Sequence, residues 1–340
     1  MKAAVMTEDR EIKVMDMPEP EMAPNQIKVK VAYCGVCGSE LHILDPEFAS
    51  SRPAGPQGVT GPRVMGHEAS GTIVEIGGEV RSNLEVGQKV AMNFRGYCGN
   101  CYYCQNKMEH YCENSVHNTG SYAEYAIYND GAVYPLPEGV SLEVGALLEP
   151  VSVAVHAVDA ANISPGGTVA ILGAGPIGLL IQEVALIAGA AKVLVSEPVA
   201  SRREMAKKLG ATVVVDPINE DLEEAAKKLT EGRGFDTVIE ASGKVAVAKQ
   251  AVSLADNCGT ILWAAMYPYG AEVGVSPLYM YQKELTIRSI FVSPYCFTRA
   301  LNLLPVLELE PLISVMPLDK IVEAFHQLAR GEGIKVLIEP

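Results

Sequence analysis

Four cysteines in one short stretch form the densest group of metal-ligating residues in the sequence. Cys98, Cys101, Cys104 and Cys112 follow the spacing C-x2-C-x2-C-x7-C. Four thiolates so close together suit a closed tetrahedral zinc site, which stabilises a segment too poor in apolar residues to fold alone. Because such a site has no open coordination position, its zinc is structural. The alternatives for these four residues are two disulfides or free thiols.

A second set of candidate metal ligands is dispersed along the chain. It comprises Cys37 in CGVCGSELH, His67 and Glu68 in GHE, and Glu149 in LLEP. A catalytic zinc takes about three protein ligands and keeps one exchangeable position, and a thiolate, an imidazole and a carboxylate would supply that set. Spacing alone cannot join these residues. Taken singly, Cys37 could be a small buried residue, His67 a hydrogen-bonded turn histidine and Glu149 a carboxylate at a helix start.

A glycine-rich turn follows the strand-like segment TVAIL. Gly173, Gly175 and Gly178 form the pattern G-x-G-x-x-G, with Pro176 and Ile177 inside it, and an apolar helical segment follows. The first glycine permits a tight turn, the second lets the backbone approach a pyrophosphate at the helix N-terminus, and the third permits close helix–strand packing. The pattern predicts a dinucleotide site, and a glycine turn without a ligand is the alternative.

The end of the next strand-like segment indicates which dinucleotide binds. Glu197 follows Gly178 by 19 positions, and a carboxylate there can bind both ribose hydroxyls and repel a 2′-phosphate. Arg202 and Arg203 are the competing signal, because an arginine could hold that phosphate. The sequence favours NAD over NADP.

Two kinds of segment must position these residues. Before residue 150, short apolar stretches at 27–35, 70–77 and 89–94 predict β-strands joined by turns, and residues 45–62 predict a surface loop. After it, apolar runs alternate with helical segments such as 201–210 and 220–232, which predicts a parallel sheet covered on both faces. These runs are residues 168–173, 192–196, 212–216, 235–242, 259–265 and 284–290.

Composition narrows the class of protein. The chain has 340 residues, 49% hydrophobic and 20% charged, with a formal net charge of −14. It has room for about two domains, and its acidity argues against nucleic acid or anionic membrane as a partner. The first residues show no apolar signal core, and the long uncharged run 160–182 is broken by glycines and prolines. We therefore expect a cytoplasmic protein, in which metal is a better reading than disulfides.

Together these motifs resemble the zinc-dependent medium-chain dehydrogenase/reductase family. The resemblance covers nearly the whole chain and includes GVCGSELH, GHEASGTIVEIG, the four-cysteine segment, SYAEY, LLEPVSVAVHA and GAGPIG. It implies a Rossmann doubly wound parallel sheet domain plus a GroES-like β-rich catalytic domain. The expected bounds are 1–150 for the catalytic domain, with a structural zinc lobe at about 95–115, then 151–290 for the Rossmann domain and 291–340 for a return to the catalytic domain.

The resemblance also implies roles for single residues. It makes Cys37 and His67 ligands of a catalytic zinc and Glu68 a ligand or an exchanging near-ligand. It makes Ser39 the hydroxyl that relays a proton from the substrate oxygen, and His42 the outer end of that relay. Two zinc ions per chain are thus expected, with NAD as the hydride acceptor.

The third ligand separates the subfamilies. Alcohol dehydrogenases proper carry a cysteine where this chain has Glu149, and the context LLEPVSVAVHA is similar to polyol dehydrogenases acting on sorbitol, xylitol or butanediol. Sorbitol dehydrogenases carry an Arg-Tyr pair in the region where this chain reads Phe291-Val292-Ser293-Pro294, which argues against sorbitol itself. The resemblance implies hydride transfer from a secondary hydroxyl of a polyol, sugar alcohol or diol to NAD, by a homodimer or homotetramer.

Three other functions stay open on sequence grounds. The first is an amino-alcohol dehydrogenase of the threonine type, against which the Glu149-Pro150 context speaks. The second is a sugar-phosphate alcohol dehydrogenase, although no clustered cations for a phosphate are evident. The third is a non-catalytic NAD-binding protein, which would be expected to lose Cys37, His67 or Glu149; all three are present.

Overall fold

The chain divides into two compact units that interleave in sequence. The computed structural model describes residues 1–44, 62–118 and 120–340, so the predicted surface loop at 45–62 lies outside the described residues except for Pro62. Unit 1 comprises Met1–Glu149 and Pro294–Pro340, and unit 2 comprises Pro150–Ser293. No helix among the described residues is both long and apolar enough to cross a membrane.

Unit 1 is rich in β-strands. The strands before unit 2 are β1 (Lys2–Met6), β2 (Ile12–Asp16), β3 (Gln26–Gly35), β4 (Arg63–Val64), β5 (Glu68–Ile76), β6 (Lys89–Asn93), β7 (Arg95–Gly96), β8 (Val116–His117), β9 (Tyr125–Asn129) and β10 (Val133–Pro135). The helices α1 (Gly38–Leu44), α2 (Tyr102–Gln105) and α3 (Leu142–Gly145) lie among and after them, and α4 (Leu148–Ala161) begins at the end of unit 1 and continues into unit 2. The strands predicted at 27–35, 70–77 and 89–94 are thereby confirmed as β3, β5 and β6.

Unit 2 is an alternating α/β fold. Its elements are β11 (Thr168–Leu172), α5 (Pro176–Ile187), β12 (Lys192–Ser196), α6 (Ala200–Lys208), β13 (Val213–Val215), α7 (Leu222–Thr230), β14 (Phe235–Glu240), α8 (Val245–Leu254), β15 (Ala255–Trp263), α9 (Pro277–Lys283) and β16 (Thr286–Ser289). The six strands form one parallel sheet in the order β13-β12-β11-β14-β15-β16. This order is that of a doubly wound dinucleotide-binding sheet with its switch point between β11 and β14, so the predicted fold class is confirmed.

The chain then returns to unit 1. The returning elements are α10 (Phe297–Leu303), β17 (Ile313–Pro317), α11 (Ile321–Ala329) and β18 (Lys335–Glu339). The main sheet of unit 1 runs β10-β6-β5-β3-β18-β17, with β9 also paired to β3. A strand from the returning segment therefore lies beside β3, the strand that leads into Cys37.

Each unit has its own apolar core. In unit 1, side chains such as Ile27, Val29 and Met92 pack with residues of the returning segment, including Phe325 and Ile338. In unit 2, the central strands β11, β12 and β14 are buried on both faces, and their side chains pack with those of the helices. Burial of the strand side chains explains why these runs are almost wholly apolar.

Candidate active site

The four-cysteine lobe gathers its sulfurs into one cluster. The Sγ atoms of Cys98, Cys101, Cys104 and Cys112 lie within 4.8 Å of one another, with Cys98 Sγ 3.4 Å from Cys112 Sγ and 4.0 Å from Cys104 Sγ. All four cysteines are free, which excludes the disulfide alternative. A tetrahedral zinc with Zn–S bonds of about 2.3 Å requires sulfurs about 3.8 Å apart, so this donor set fits zinc.

Backbone groups of the lobe favour thiolates. The N–H groups of Asn100 and Cys101 donate to Cys98 and lower the pKa of its thiol to about 6. From the returning segment, the Tyr295 hydroxyl donates to the Cys104 carbonyl at 2.7 Å, and the Tyr295 N–H donates to Glu109 Oε1 at 2.8 Å. The lobe is thus tied to the rest of unit 1 at two points.

The second set of candidate ligands also converges. Ligand atoms of Cys37, His67 and Glu68 lie within 4.8 Å of one another. Cys37 precedes α1, and His67 and Glu68 stand at the start of β5, which pairs with β3 so that Glu68 faces Gly35. Pairing of β3 with β5 therefore brings together residues that are distant in sequence. A thiolate, an imidazole and a carboxylate form a donor set that zinc accepts.

Glu40, which the sequence did not single out, organises this cluster. Its side chain is buried, and its Oε2 accepts hydrogen bonds from the Cys37 N–H at 3.2 Å and the Tyr122 hydroxyl at 2.5 Å. Its Oε1 accepts from the Gly66 N–H at 3.0 Å and lies 3.5 Å from His67 Nδ1. A carboxylate at Nδ1 fixes the imidazole tautomer and leaves Nε2 for a metal.

The charges around His67 agree with this arrangement. Burial opposes the protonated imidazole, but the Cys37 sulfur and the Glu40 carboxylate outweigh it and raise the pKa of His67 well above its usual value. A cation is therefore favoured between these two groups, and a metal ion would supply one in place of the proton.

Lys335 is a second residue that the sequence did not reveal. Its ammonium forms a buried ion pair with Glu68 and donates to the Val36 carbonyl at 3.0 Å. Burial opposes the charge on Lys335, yet the Glu68 carboxylate prevails and raises the pKa of the lysine. A Cβ on Gly35 would lie 2.1 Å from Glu68 Oε2, so only glycine leaves room for this pair.

Glu149 lies outside the group of three mutually close ligands. It is buried near the start of α4, and burial raises the pKa of its carboxyl to about 7 while the charge of His67 opposes that rise. Its carboxylate is therefore within the electrostatic reach of the cluster. The assignment of Glu149 as third zinc ligand stays a prediction, as does the persistence of Glu68 in that role.

Ser39 and His42 stand on α1, the helix that follows Cys37. The Ser39 hydroxyl lies 3.3 Å from Cys37 Sγ, which places an exchangeable proton beside the ligand cluster. His42 follows three residues later, so it lies on the same side of the helix. This placement is compatible with a proton relay and leaves their roles as predictions.

The glycine turn of unit 2 has the geometry of a phosphate-binding turn. Gly173 has a φ of 108°, which favours glycine, and a Cβ on Gly178 would lie 2.0 Å from the Gly173 carbonyl oxygen. A Cβ on Gly175 would meet no atom within 4 Å, so the backbone is open there. Gly175 caps α5, and Pro176 begins it. The exposed N–H groups of this helix start can receive an anion such as a pyrophosphate.

Glu197 lies against this turn. Its Oε2 accepts the Ala174 N–H at 2.7 Å, and its Oε1 accepts the Val199 N–H at 3.0 Å. A carboxylate has about four acceptor positions, so two remain for ribose hydroxyls. Of the two arginines on α6, Arg203 donates to the Glu197 carbonyl at 2.7 Å, and Arg202 is partly buried one position earlier.

Glu240 is a further buried carboxylate of unit 2, at the end of β14. It accepts the Ser242 N–H at 2.7 Å and the Gly243 N–H at 3.1 Å, and it also accepts the Tyr267 hydroxyl. These bonds tie together the loops that follow β14 and β15. Both loops lie at the carboxyl edge of the sheet, where dinucleotides bind in this strand order.

Two protein families match this chain. Residues 23–138 match the alcohol dehydrogenase GroES-like domain family, and residues 176–305 match the zinc-binding dehydrogenase family. The first match covers Cys37, His67, Glu68 and the four cysteines of the lobe, and the second begins at Pro176, inside the glycine turn.

Similar proteins of several activities align over almost the whole chain. L-threonine 3-dehydrogenase of Pyrococcus horikoshii is 35% identical over 96% of this chain and 94% of its own. D-arabitol-phosphate dehydrogenase of Enterococcus avium is 32% identical over 96% and 93%. Sorbitol dehydrogenase of Bacillus subtilis is 29% identical over 100% and 97%.

Solved structures agree with the fold over the full chain. A putative zinc-binding dehydrogenase from Sinorhizobium meliloti bound to NADP superposes with a TM-score of 0.90 at 32% identity, covering 100% of this chain and 99% of that chain. The 2R,3R-butanediol dehydrogenase from Bacillus subtilis gives a TM-score of 0.88 at 29% identity, with the same coverage.

Proposed function

The chain belongs to the zinc-dependent medium-chain dehydrogenase/reductase family, and from this premise we propose that it oxidises a secondary hydroxyl of a polyol, sugar alcohol or diol with NAD as hydride acceptor. The observation that carries the proposal is the convergence of Cys37, His67 and Glu68 within 4.8 Å of one another. The polyol class is supported by relatives named for arabitol phosphate, sorbitol and butanediol.

We propose that Cys37, His67 and a glutamate, Glu68 or Glu149, hold the catalytic zinc. When bound, the ion would supply Lewis acidity that makes a substrate hydroxyl more acidic. Glu40 engages His67 Nδ1 and would leave Nε2 available to the ion, and Lys335 balances the charge of Glu68. The second zinc, on the four cysteines of the lobe, has a structural role.

Proton removal falls to α1 in this mechanism. The Ser39 hydroxyl accepts the proton of the substrate hydroxyl and passes its own proton outward toward His42, because serine cannot hold a charge at neutral pH. When bound, NAD would supply the acceptor for the hydride of the carbon that bears the hydroxyl. The products are a ketone, NADH and one proton, so electrons and atoms balance.

We propose NAD as the cofactor on the basis of the unit 2 turn. Residues 151–290 hold it, with the pyrophosphate at Gly173, Gly175, Pro176, Ile177 and Gly178. Glu197 takes the ribose hydroxyls, and Arg202 lies at the rim of the same region. The NADP in the structure from Sinorhizobium meliloti makes the choice between the two dinucleotides a point for direct measurement.

The charge of the ligand cluster favours a neutral substrate. A polyol needs hydrogen-bonding groups, whereas an amino acid also needs a cation for its carboxylate. Lys335, the buried cation of this cluster, is already engaged by Glu68 and the Val36 carbonyl. Oxidation of L-threonine is the second candidate, because the relative from Pyrococcus horikoshii has the higher identity, 35% against 32% for the arabitol-phosphate enzyme.

We also infer a cytoplasmic homodimer or homotetramer. All eight cysteines are free, which suits a reducing compartment. The strand β16 is an edge of its sheet, and Tyr281 on the neighbouring α9 is 82% exposed, so this side of unit 2 offers both an unpaired edge and apolar surface. Light scattering coupled to size-exclusion chromatography measures the number of chains directly.

A substrate panel tests the proposed activity. The zinc-loaded protein is assayed for NADH formation with polyols, diols, a sugar-alcohol phosphate and L-threonine, and for NADPH formation with the best substrate. Cys37→Ala should abolish turnover while NAD binding survives, and Cys258→Ala, at an exposed cysteine of unit 2, is the matched control. Turnover that survives in Cys37→Ala, or a clear preference for L-threonine, would contradict the proposal.

A further inference from the structure

Arg203 lies beneath the turn that carries the ribose-binding carboxylate. Its Nη1 donates to the carbonyl oxygens of Glu197 and Pro198, each at 2.7 Å. Its Nη2 lies 2.9 Å from Asp216 Oδ2, and the two side chains are only 18% and 15% exposed. The guanidinium is therefore committed to three oxygen atoms of the chain itself.

Asp216 is a fixed partner for this arginine. It follows β13, whose last residue accepts the Glu197 N–H at 3.1 Å. Its Oδ1 accepts the Ile218 N–H at 3.0 Å, and its Oδ2 accepts the Asn219 side-chain amide at 3.1 Å. These bonds, assisted by the charge of Arg203, lower the pKa of the Asp216 carboxyl. The aspartate is thus a permanent anion beside the ribose region at neutral pH.

The chemistry of the two cofactors gives this ion pair a consequence. NADP differs from NAD by a phosphate on the adenosine ribose, and proteins that accept it place an arginine near that hydroxyl. Here an arginine is present in the right region, but its charge is paired and its N–H groups are in use. A phosphate would have to compete with Asp216 for it.

We propose that Asp216 is a specificity-determining residue. By pairing with Arg203 it keeps this arginine from binding a phosphate at the ribose 2′-position, and the arginine instead stabilises the turn that carries Glu197. The inference rests on the proposed use of NAD. Selectivity then has two coupled parts, since Glu197 repels a 2′-phosphate and Asp216 engages the cation that would attract one.

The two carboxylates should therefore act cooperatively. In Glu197→Gln the repelling charge is gone, but Arg203 stays bound to Asp216. In Asp216→Asn the Nη2 of Arg203 loses its anionic partner, and the Glu197 carboxylate can pair with the arginine instead. Only in the double variant does Arg203 have neither the Glu197 nor the Asp216 carboxylate as a partner. Its gain in affinity for a 2′-phosphate should therefore exceed the product of the gains of the two single variants.

Binding of adenosine 2′,5′-bisphosphate and of 5′-AMP, which differ only in the 2′-phosphate, tests this without substrate or turnover. Their dissociation constants are measured by titration calorimetry for the zinc-loaded wild type, Glu197→Gln, Asp216→Asn and the double variant. Selectivity here is the ratio of the two dissociation constants, and each variant changes it by some factor relative to the wild type. We expect the factor of the double variant to exceed the product of the factors of the two single variants about tenfold, the size expected for one charged hydrogen bond. Adding Arg203→Met to the double variant should remove that excess.

The outcomes separate the two proposals. Asp216 has no role in selectivity if the selectivity change of the double variant equals the product of the changes in the two single variants. The same conclusion follows if Arg203→Met leaves the extra selectivity of the double variant intact. If the wild type already binds the bisphosphate more tightly than 5′-AMP, the assignment of NAD fails instead. Asn at 216 keeps an acceptor for the Ile218 N–H, and Asp216→Ser, whose hydroxyl can also accept it, replaces it if the asparagine variant does not fold.

Discussion

Replacing Glu40 with glutamine removes the charge beside His67 while nearly preserving the shape of the side chain. The carboxylate has four donors around it, on Cys37, Gly66, Tyr122 and His67, at 3.2, 3.0, 2.5 and 3.5 Å. A glutamine has one acceptor oxygen and one donor NH₂. Whichever way the amide turns, its NH₂ faces another donor, so at least one of these contacts is lost.

The loss should appear chiefly as weaker metal binding. A hydrogen bond to a charged group is worth about 1.5 to 3 kcal/mol, and loss of a carboxylate behind a metal-binding histidine costs about 10- to 100-fold in affinity or activity. The two figures agree, because tenfold is about 1.4 kcal/mol. We therefore expect Glu40→Gln to weaken one zinc of the two by 10- to 100-fold and to lower kcat/KM with the alcohol similarly.

Chelator competition with a metal indicator measures both zincs in one experiment. The four-cysteine lobe is the internal reference, because Glu40 is not among its contacts. Glu79→Gln, at an exposed glutamate of unit 1, controls for the substitution itself. One zinc should leave at a lower chelator concentration in Glu40→Gln only, and the thermal midpoint of the zinc-loaded protein reports whether the fold is intact.

Two results would refute this reasoning. If both zincs of Glu40→Gln resist the chelator as in the wild type, the carboxylate does not support His67. If both zincs are released more easily together, the effect is a general loss of stability and says nothing about the ligand cluster.

Three further substitutions probe other parts of the molecule. Cys104→Ser should lower the zinc content by one ion per chain and reduce the thermal midpoint, as metal analysis and calorimetry will show. Although burial opposes ionisation, hydrogen bonds from the first residue of β11 lower the pKa of Asp236 below 3.8. The ionised carboxylate therefore stabilises the fold above the unfolded pKa of about 3.9, and this contribution is lost as the pH falls through the folded pKa. In urea unfolding, the deficit of Asp236→Asn should therefore shrink below about pH 4, and a constant deficit would contradict this. Gly35→Ala should destabilise unit 1 by about 1 to 3 kcal/mol, because its Cβ would lie 2.1 Å from Glu68 Oε2, whereas Gly78→Ala meets open space and should be nearly neutral in the same denaturation assay.

The sequence predicted most reliably what local spacing encodes. The four cysteines of the lobe and the glycines of the turn are close in the chain, so their geometry follows from a few backbone angles. The alternating pattern of apolar runs likewise predicted β11 to β16, most clearly the central strands β11, β12 and β14, because a strand buried on both faces must be almost wholly apolar.

The ligand cluster shows where such prediction ends. Cys37, His67 and Glu68 meet only because β3 pairs with β5, and that register is not readable from any one segment. Glu40 stands between two predicted functional residues, yet a glutamate on a short helix usually faces water, so its burial could not be foreseen. Lys335 comes from β18, and only the completed sheet places it beside Glu68.

The interleaving of the two units has a consequence for how the protein is made. Because β18 follows all of unit 2 in the chain, the edge of β3 that it covers stays unpaired while the ribosome synthesises unit 2. During that time Glu68 also lacks the ammonium group of Lys335. An uncovered strand edge is a site of aggregation, and domains that are continuous in sequence can fold as they emerge. Unit 2 can therefore fold first, whereas the main sheet of unit 1 and the ion pair that neutralises Glu68 are complete only on chains synthesised through Lys335.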